Sequence, residues 1–225
     1  SQLDEIRNDM MLMLRSVGVQ VESQRHELST QGQAEIDVKF NDLVSISDDF
    51  MKYKYIIRQV AQKHQKTATF MPKPLMSSRG VGMPLHFSIW KKGQNLFHGT
   101  KDFGLSQIAI YAIGGILAHA PALFAFTNPT TNSYKRLMDV TEHVVIGHGQ
   151  NNNNVMIKIP THKTSNDSSR IILQNPDPSC NSYLAFSAIL MAAIDGIQNR
   201  IEPGEALGEG INNIKHNTPK SLDEA

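Results

Sequence analysis

Glu27 and Glu35 stand eight residues apart around the turn-like segment STQGQ. A hairpin through that turn brings both carboxylates onto one sheet face. Paired carboxylates suit Mg²⁺ or Mn²⁺, because hard cations take oxygen ligands. A solvated polar face explains the same pair without a ligand, and spacing alone favours that plainer reading. His26, next to Glu27, adds little to either. A second candidate is the Gly-bearing loop that opens SSRGVGMPLHFS, Ser77–Ser88, ahead of a strand. By itself it reads as a turn. A third is Lys135–Arg136, where a guanidinium fork could grip a carboxylate through two hydrogen bonds. Alone, the two are ordinary surface charges.

Three longer blocks change the weighting. They are KTATFMPKP (66–74), NPTTNSYKRL (128–137) and NPDPSCNSYLAF (175–186). In this order and at these distances they resemble the catalytic domain of bacterial class I glutamine synthetase, over essentially all 225 residues. The resemblance implies an ATP-dependent ligation of ammonia to glutamate through γ-glutamyl phosphate. It implies Mg²⁺ or Mn²⁺ as cofactor, and glutamate, ammonia and ATP as partners. It implies a homo-oligomer, a dodecamer of two stacked rings. It also makes residues 1–225 a partial, C-terminal catalytic domain, with the family's N-terminal β-grasp domain absent.

Residue by residue, the family pattern HHHEVxxxGQxEI gives Glu27 and Glu35 to the metal, with Gln24-Arg25-His26 in place of its His-rich lead-in. Glu22 falls near the nucleotide and Phe40 beside the adenine. The pattern DNGSGMHxHxS gives Gly80 to the substrate and His86 and Ser88 to the ATP phosphates. Its first histidine, a metal ligand, is Pro84 here, and its asparagine is Arg79. Arg136 matches the arginine that holds the glutamate carboxylate, and Glu142 the flap glutamate that favours ammonia over ammonium. Lys158 and Arg170 fall at phosphate-facing positions. Asn153 and Lys158 replace two arginines, Ile172 a metal-binding glutamate, and Gln174 a substrate-binding arginine. The adenylylated tyrosine of bacterial relatives falls on Asn212. Proline offers no lone pair to a metal, and lysine lacks the planar fork. Substitution has therefore fallen on the site and spared the scaffold. The expected activity is an impaired glutamate–ammonia ligase; the alternative is a non-catalytic pseudoenzyme with a binding or assembly role.

These residues need elements to hold them. Apolar spacing predicts a helix over Leu3–Ser16. Val19–Glu22 and Ala34–Phe40 read as strands, the second with Ile36, Val38 and Phe40 on one face. Asp48–His64 reads as a helix capped by Ser47 or Asp48. Thr67–Met71 is expected as a short strand, and Leu85–Trp90 as a two-faced one. Ser106 caps a helix through Leu117 that continues until Pro121 interferes. Asp139–Asn154 is expected to be loop, its asparagine run without a clear role. Val155–Ile159 and Ile171–Leu173 are strands, and Asn181 caps a last helix, Leu184–Ile201. Strands and helices do not alternate regularly, so the class is α+β, a largely antiparallel sheet flanked by helices.

Composition bounds the rest. The net charge of +1, from 22 basic and 21 acidic residues, gives no electrostatic case for nucleic acid or an anionic membrane. The single cysteine, Cys180, excludes an intrachain disulfide and fits a reducing compartment. The apolar run Ile108–Phe126 is interrupted by His119 and Pro121 and reads as a core helix rather than a membrane span. The opening SQLDEIRNDM lacks the features of a signal peptide. The expected location is cytoplasmic.

Overall fold

The computed structural model of the chain describes residues 2–27, 32–139, 144–161, 166–208 and 218–225. Two large hydrophobic clusters organise the described residues, and a small third one, around Cys180, Ala185 and Phe186, joins them. In the first, helix α1 (Gln2–Ser16) lays Ile6, Met10 and Leu14 against helix α2 (Leu43–Lys63). The hairpin of β1 (Val21–His26) and β2 (Ala34–Val38) adds Val21 and Ile36 to the same cluster. The helix residues recur four apart and so form one stripe, the geometry a helix needs to bury one face.

Helix α2 starts earlier than its periodicity predicts. Asp42 is its N-cap, accepting from the Ser45 amide at 3.0 Å. Ser47 lies inside the helix, its hydroxyl bonded back to the Leu43 carbonyl at 2.8 Å. Asp48 accepts instead from the Tyr183 hydroxyl. Thr67–Met71 joins no ladder. The expected strand Leu85–Trp90 divides into β3 (Leu85–Phe87) and a separate hairpin, β4 (Trp90–Lys91) with β5 (Gln94–Asn95).

The second cluster lies between a four-stranded sheet and four helices. The helices are α3 (Gln107–Ala118), α4 (Ala120–Thr127), α5 (Thr131–Leu137) and α6 (Ser182–Asn199). With β6 (Val145–Gln150), β7 (Val155–Ile159) and β8 (Ile171–Leu173), the strand order is β3-β8-β7-β6. Pairing is antiparallel at β3/β8 and β8/β7, as are both two-stranded hairpins, but parallel at β7/β6. The architecture is α+β with a largely antiparallel sheet.

Strand β6 corrects the loop expected over 139–154. A parallel neighbour ordinarily needs a crossover of a dozen or more residues. Here Asn151–Asn154 alone return the chain. Asn151 adopts φ 52°, a conformation asparagine tolerates. The buried Asn152 amide donates to the Gly208 carbonyl at 3.0 Å, and its oxygen accepts from the Asn154 amide at 2.9 Å. The asparagine run is the structural return of the sheet.

Ser106 caps α3 as expected, accepting from the Ala109 amide at 3.1 Å. The helix breaks at His119, and Pro121 sits in the first turn of α4, where its missing N–H is harmless. The two helices bend by 77° there, and among the described residues no single helix is long and apolar enough to cross a membrane. Helices α3 and α6 cross at Gly115 and Gly196. A Cβ on Gly115 would stand 2.2 Å from the Ala192 carbonyl oxygen, and one on Gly196 2.2 Å from that of Tyr111.

Candidate active site

The three sequence blocks are first of all a clasp. Asn132 of α5 accepts from the Lys73 amide at 2.6 Å and donates to the Lys73 carbonyl at 2.9 Å. The buried Lys73 ammonium reaches Asp139 and the Ser78 carbonyl. At the far end of the NPTTNSYKRL block, the buried Asn128 amide donates to the Asn175 carbonyl at 2.7 Å and to Asp177 at 2.9 Å. Thr127 and Asn175 close the network at 2.8 Å. Such a buried network fixes one arrangement only because its members find partners. Lys73, Asn128 and Asp177 were not singled out in the sequence, although all three lie in its most recognisable blocks.

The clasp places Arg136. It is buried in α5 and donates from Nη2 to the Asn175 carbonyl. Its Nη1 lies 3.2 Å from where a Cβ of Gly82 would stand, so the Gly-bearing loop closes directly over the fork. That loop is tied to the hairpin by Gln33, which donates to the Gly80 carbonyl at 3.2 Å, and to the clasp by the Met83 amide, which donates to the Pro176 carbonyl at 2.8 Å. Pro84 is exposed at its end.

One face of the sheet is core and the other carries candidate chemistry. Leu85, Phe87, Ile157, Ile159, Ile171 and Leu173 pack on the helices. Strand alternation turns the intervening residues outward. His86 is paired with Ile172, and Ile172 with Lys158, so the three form one row across β3, β8 and β7. His86 keeps much of its surface open, yet desolvation is the largest influence holding its pKa below the ordinary imidazole value. The charges of Arg170 and Lys158 lower it further, and Asp37 opposes them. Lys158 donates to Asn153 at 2.7 Å, so these two residues engage each other. Arg170 donates to the Ser168 carbonyl at 3.2 Å, and its buried Nε has no acceptor among the described residues. At the edge, Ser88 accepts from the Trp90 indole at 3.0 Å, and Phe40 stacks on Trp90 with centroids 6.2 Å apart. Phe40 also borders a hollow lined by Gly18, Gln20, Lys39, Asn41 and Asp49.

The hairpin brings Glu27 and Glu35 together, as their spacing predicts, and adds Asp37. Register sets Arg25 opposite Glu35 and Ser23 opposite Asp37, while the Glu27 amide bonds to the Gln33 carbonyl at 3.0 Å. Arg25 reaches into the middle of this face. It grips Glu35 with two bonds, 2.6 and 3.1 Å, stands 3.4 Å from Asp37 and 3.6 Å from Glu27. Glu35 is pushed up to about 7, first by burial and then by sharing a hydrogen bond with Glu27, against the lowering effect of Arg25. Glu22 is exposed on β1 beside the register shift between Val21 and Ser23.

Tested as a metal site, this face does not fit. The carboxylates converge on the guanidinium, and among the described residues no group of three His, Cys, Asp or Glu is set to hold an ion. Pro84 and Ile172 bring no donor. In the sequence Arg25 enters only as part of the segment that replaces the His-rich lead-in. The signal was available: Ser23, Arg25 and Glu27 alternate, so they share one strand face. Glu142 and Asn212 lie outside the described residues.

Comparison with known proteins agrees with this scaffold. The family model for the glutamine synthetase catalytic domain matches residues 1–225. The glutamine synthetase of Aquifex aeolicus is 47% identical over 229 residues, covering 98% of this chain and 49% of that protein. That of Salmonella typhimurium is 42% identical over 98% of this chain and 47% of that protein. This chain thus spans about half the length of the curated relatives it matches. Among solved structures, apo GmaS superposes with a TM-score of 0.88 at 32% identity, over 98% of this chain and 52% of that one. Plasmodium falciparum glutamine synthetase gives 0.87 at 31% identity, over 93% and 41%. With its clasp, its mixed sheet and a family match across its whole length, the chain belongs to the glutamine synthetase catalytic-domain family.

Proposed function

We propose that this chain is a glutamine synthetase domain, of the bacterial class I kind, whose ATP-dependent joining of ammonia to glutamate is impaired. The observation that carries the reading is Ile172. It is 9% exposed and sits between His86 and Lys158, in the middle of the face that should handle phosphate. Phosphoryl transfer is catalysed by positioning and by cations around dispersed negative charge. An apolar side chain there supplies neither. Asn153 adds no charge, and Lys158 spends a hydrogen bond on it.

What remains suits the nucleotide better than the reaction. The Phe40–Trp90 stack offers an aromatic wall, and His86, Ser88, Lys158 and the Arg170 guanidinium offer donors to phosphate oxygens. Gly80 and Arg136 are the residues proposed for glutamate, and Glu142 for closing over it. A homo-oligomer, a dodecamer by resemblance, is supported by the exposed Leu184, Met191 and Ile194 of α6. A cytoplasmic location is part of the same proposal.

A second reading, a pseudoenzyme that binds without turnover, draws on Arg136. Its fork is already engaged by the Asn175 carbonyl and walled by Gly82. The two readings separate on one assay, γ-glutamyl hydroxamate formation by the full-length protein with Mg²⁺ and with Mn²⁺. Slow but ATP-dependent product supports the impaired ligase. No product above background with either ion supports the pseudoenzyme, and turnover as fast as that of the Aquifex aeolicus relative rejects both.

A further inference from the structure

The acidic face of the hairpin poses an electrostatic problem that the chain solves by itself. Glu27, Glu35 and Asp37 all approach one guanidinium within 3.6 Å, so three carboxylates crowd a small volume. Like charges so close oppose one another's ionisation and call for a cation. Resemblance assigns two of these carboxylates to a divalent ion. The structure assigns the place to Arg25.

Geometry supports a dedicated role over a chance surface pair. Arg25 is the register partner of Glu35, so the backbone ladder delivers its side chain to this face. Its contact with Glu35 is bidentate, which only the planar fork can make. Its remaining nitrogen faces Asp37, and its Nε also faces Glu27. Arginine keeps its charge at every physiological pH, and a tethered group competes at high effective concentration with an ion arriving from solution.

We propose that the Arg25 guanidinium is a built-in cation that occupies the metal position of the β1–β2 hairpin, and that Mn²⁺ or Mg²⁺ enters only by displacing it. The inference concerns binding and holds whether or not the domain turns over.

The test is Mn²⁺ titration of the 225-residue chain, read from the electron paramagnetic resonance of free Mn²⁺. Wild type is expected to show no saturable site below about 1 mM, the weak end of carboxylate cation sites. R25Q should bind at least ~10-fold more tightly, the equivalent of about 1.4 kcal/mol. R25K, which keeps the charge without the fork, should fall between them, and R25Q/E35Q should lose the gain. Equal affinities in wild type and R25Q would overturn the proposal. A melting-temperature readout on wild type decides independently, even if R25Q does not fold: MnCl₂ at about 1 mM, the weak end of such affinities, should leave it unchanged, and a rise of several degrees would contradict the inference.

Discussion

His86 and Ile172 are direct partners across the β3/β8 ladder, a titratable imidazole facing an apolar side chain on the site face. Replacing Ile172 with glutamate puts a carboxylate beside a ring already depressed by burial, Arg170 and Lys158. An opposite charge at such range raises an imidazole pKa by about one unit. NMR titration of His86 in I172E should show that rise, and an unchanged midpoint would place the two side chains further apart than their register does.

His148 predicts the acid side of stability. It is 5% exposed, and burial holds its pKa below the ordinary value, with Asp102 in opposition. The unfolded chain therefore takes up the proton first. Stability from this group is complete above about pH 6.5, the ordinary histidine value, and is lost as pH falls through it toward the folded pKa. The slope can approach ~1.4 kcal/mol per pH unit. Urea unfolding of H148Q should show a flatter dependence between pH 6.5 and 5 (roughly the histidine range) than wild type.

Asn128 is completely buried and serves Asn175 and Asp177 together. N128A leaves Asp177 without that donor in a site closed to water. The expected cost is about 3 kcal/mol, from a lost charge-assisted bond and an under-satisfied buried charge. Denaturant midpoints at constant m-value provide the check.

Gly196 lies where α6 meets α3, its missing Cβ 2.2 Å from the Tyr111 carbonyl oxygen. G196A cannot be absorbed by a side-chain rotation, because the obstacle is backbone. Separation of the helices should cost about 2 kcal/mol or more, despite alanine's better helix propensity. A stabilised variant, by thermal melting, would contradict the close crossing.

Much of this fold is legible locally. The stripe of Ile6, Met10 and Leu14, the caps Ser106 and Asn181, and the runs Val155–Ile159 and Ile171–Leu173 each declare their element within a few residues. What escaped depends on partners distant in sequence or on parity. Val145–Gln150 holds two glycines and a histidine and looks like loop, yet pairs in parallel with β7. Gly149 is required there because a Cβ would meet the Leu207 carbonyl oxygen at 2.4 Å. Asp42 caps α2 from a stretch without helical periodicity. The carboxylates of the candidate site were visible from their spacing, and the alternation of Ser23, Arg25 and Glu27 put Arg25 on their face, but that its guanidinium reaches all three carboxylates shows only in the fold.

The central proposal is that a retained scaffold carries altered side chains at the positions proposed to handle phosphate and cations. The most direct measurement compares γ-glutamyl hydroxamate formation by the full-length wild type with that by P84H/N153R/I172E/Q174R. The account predicts a gain of roughly a thousandfold, the scale of one transition-state arginine in phosphoryl transfer. Equal rates in the two proteins would contradict it.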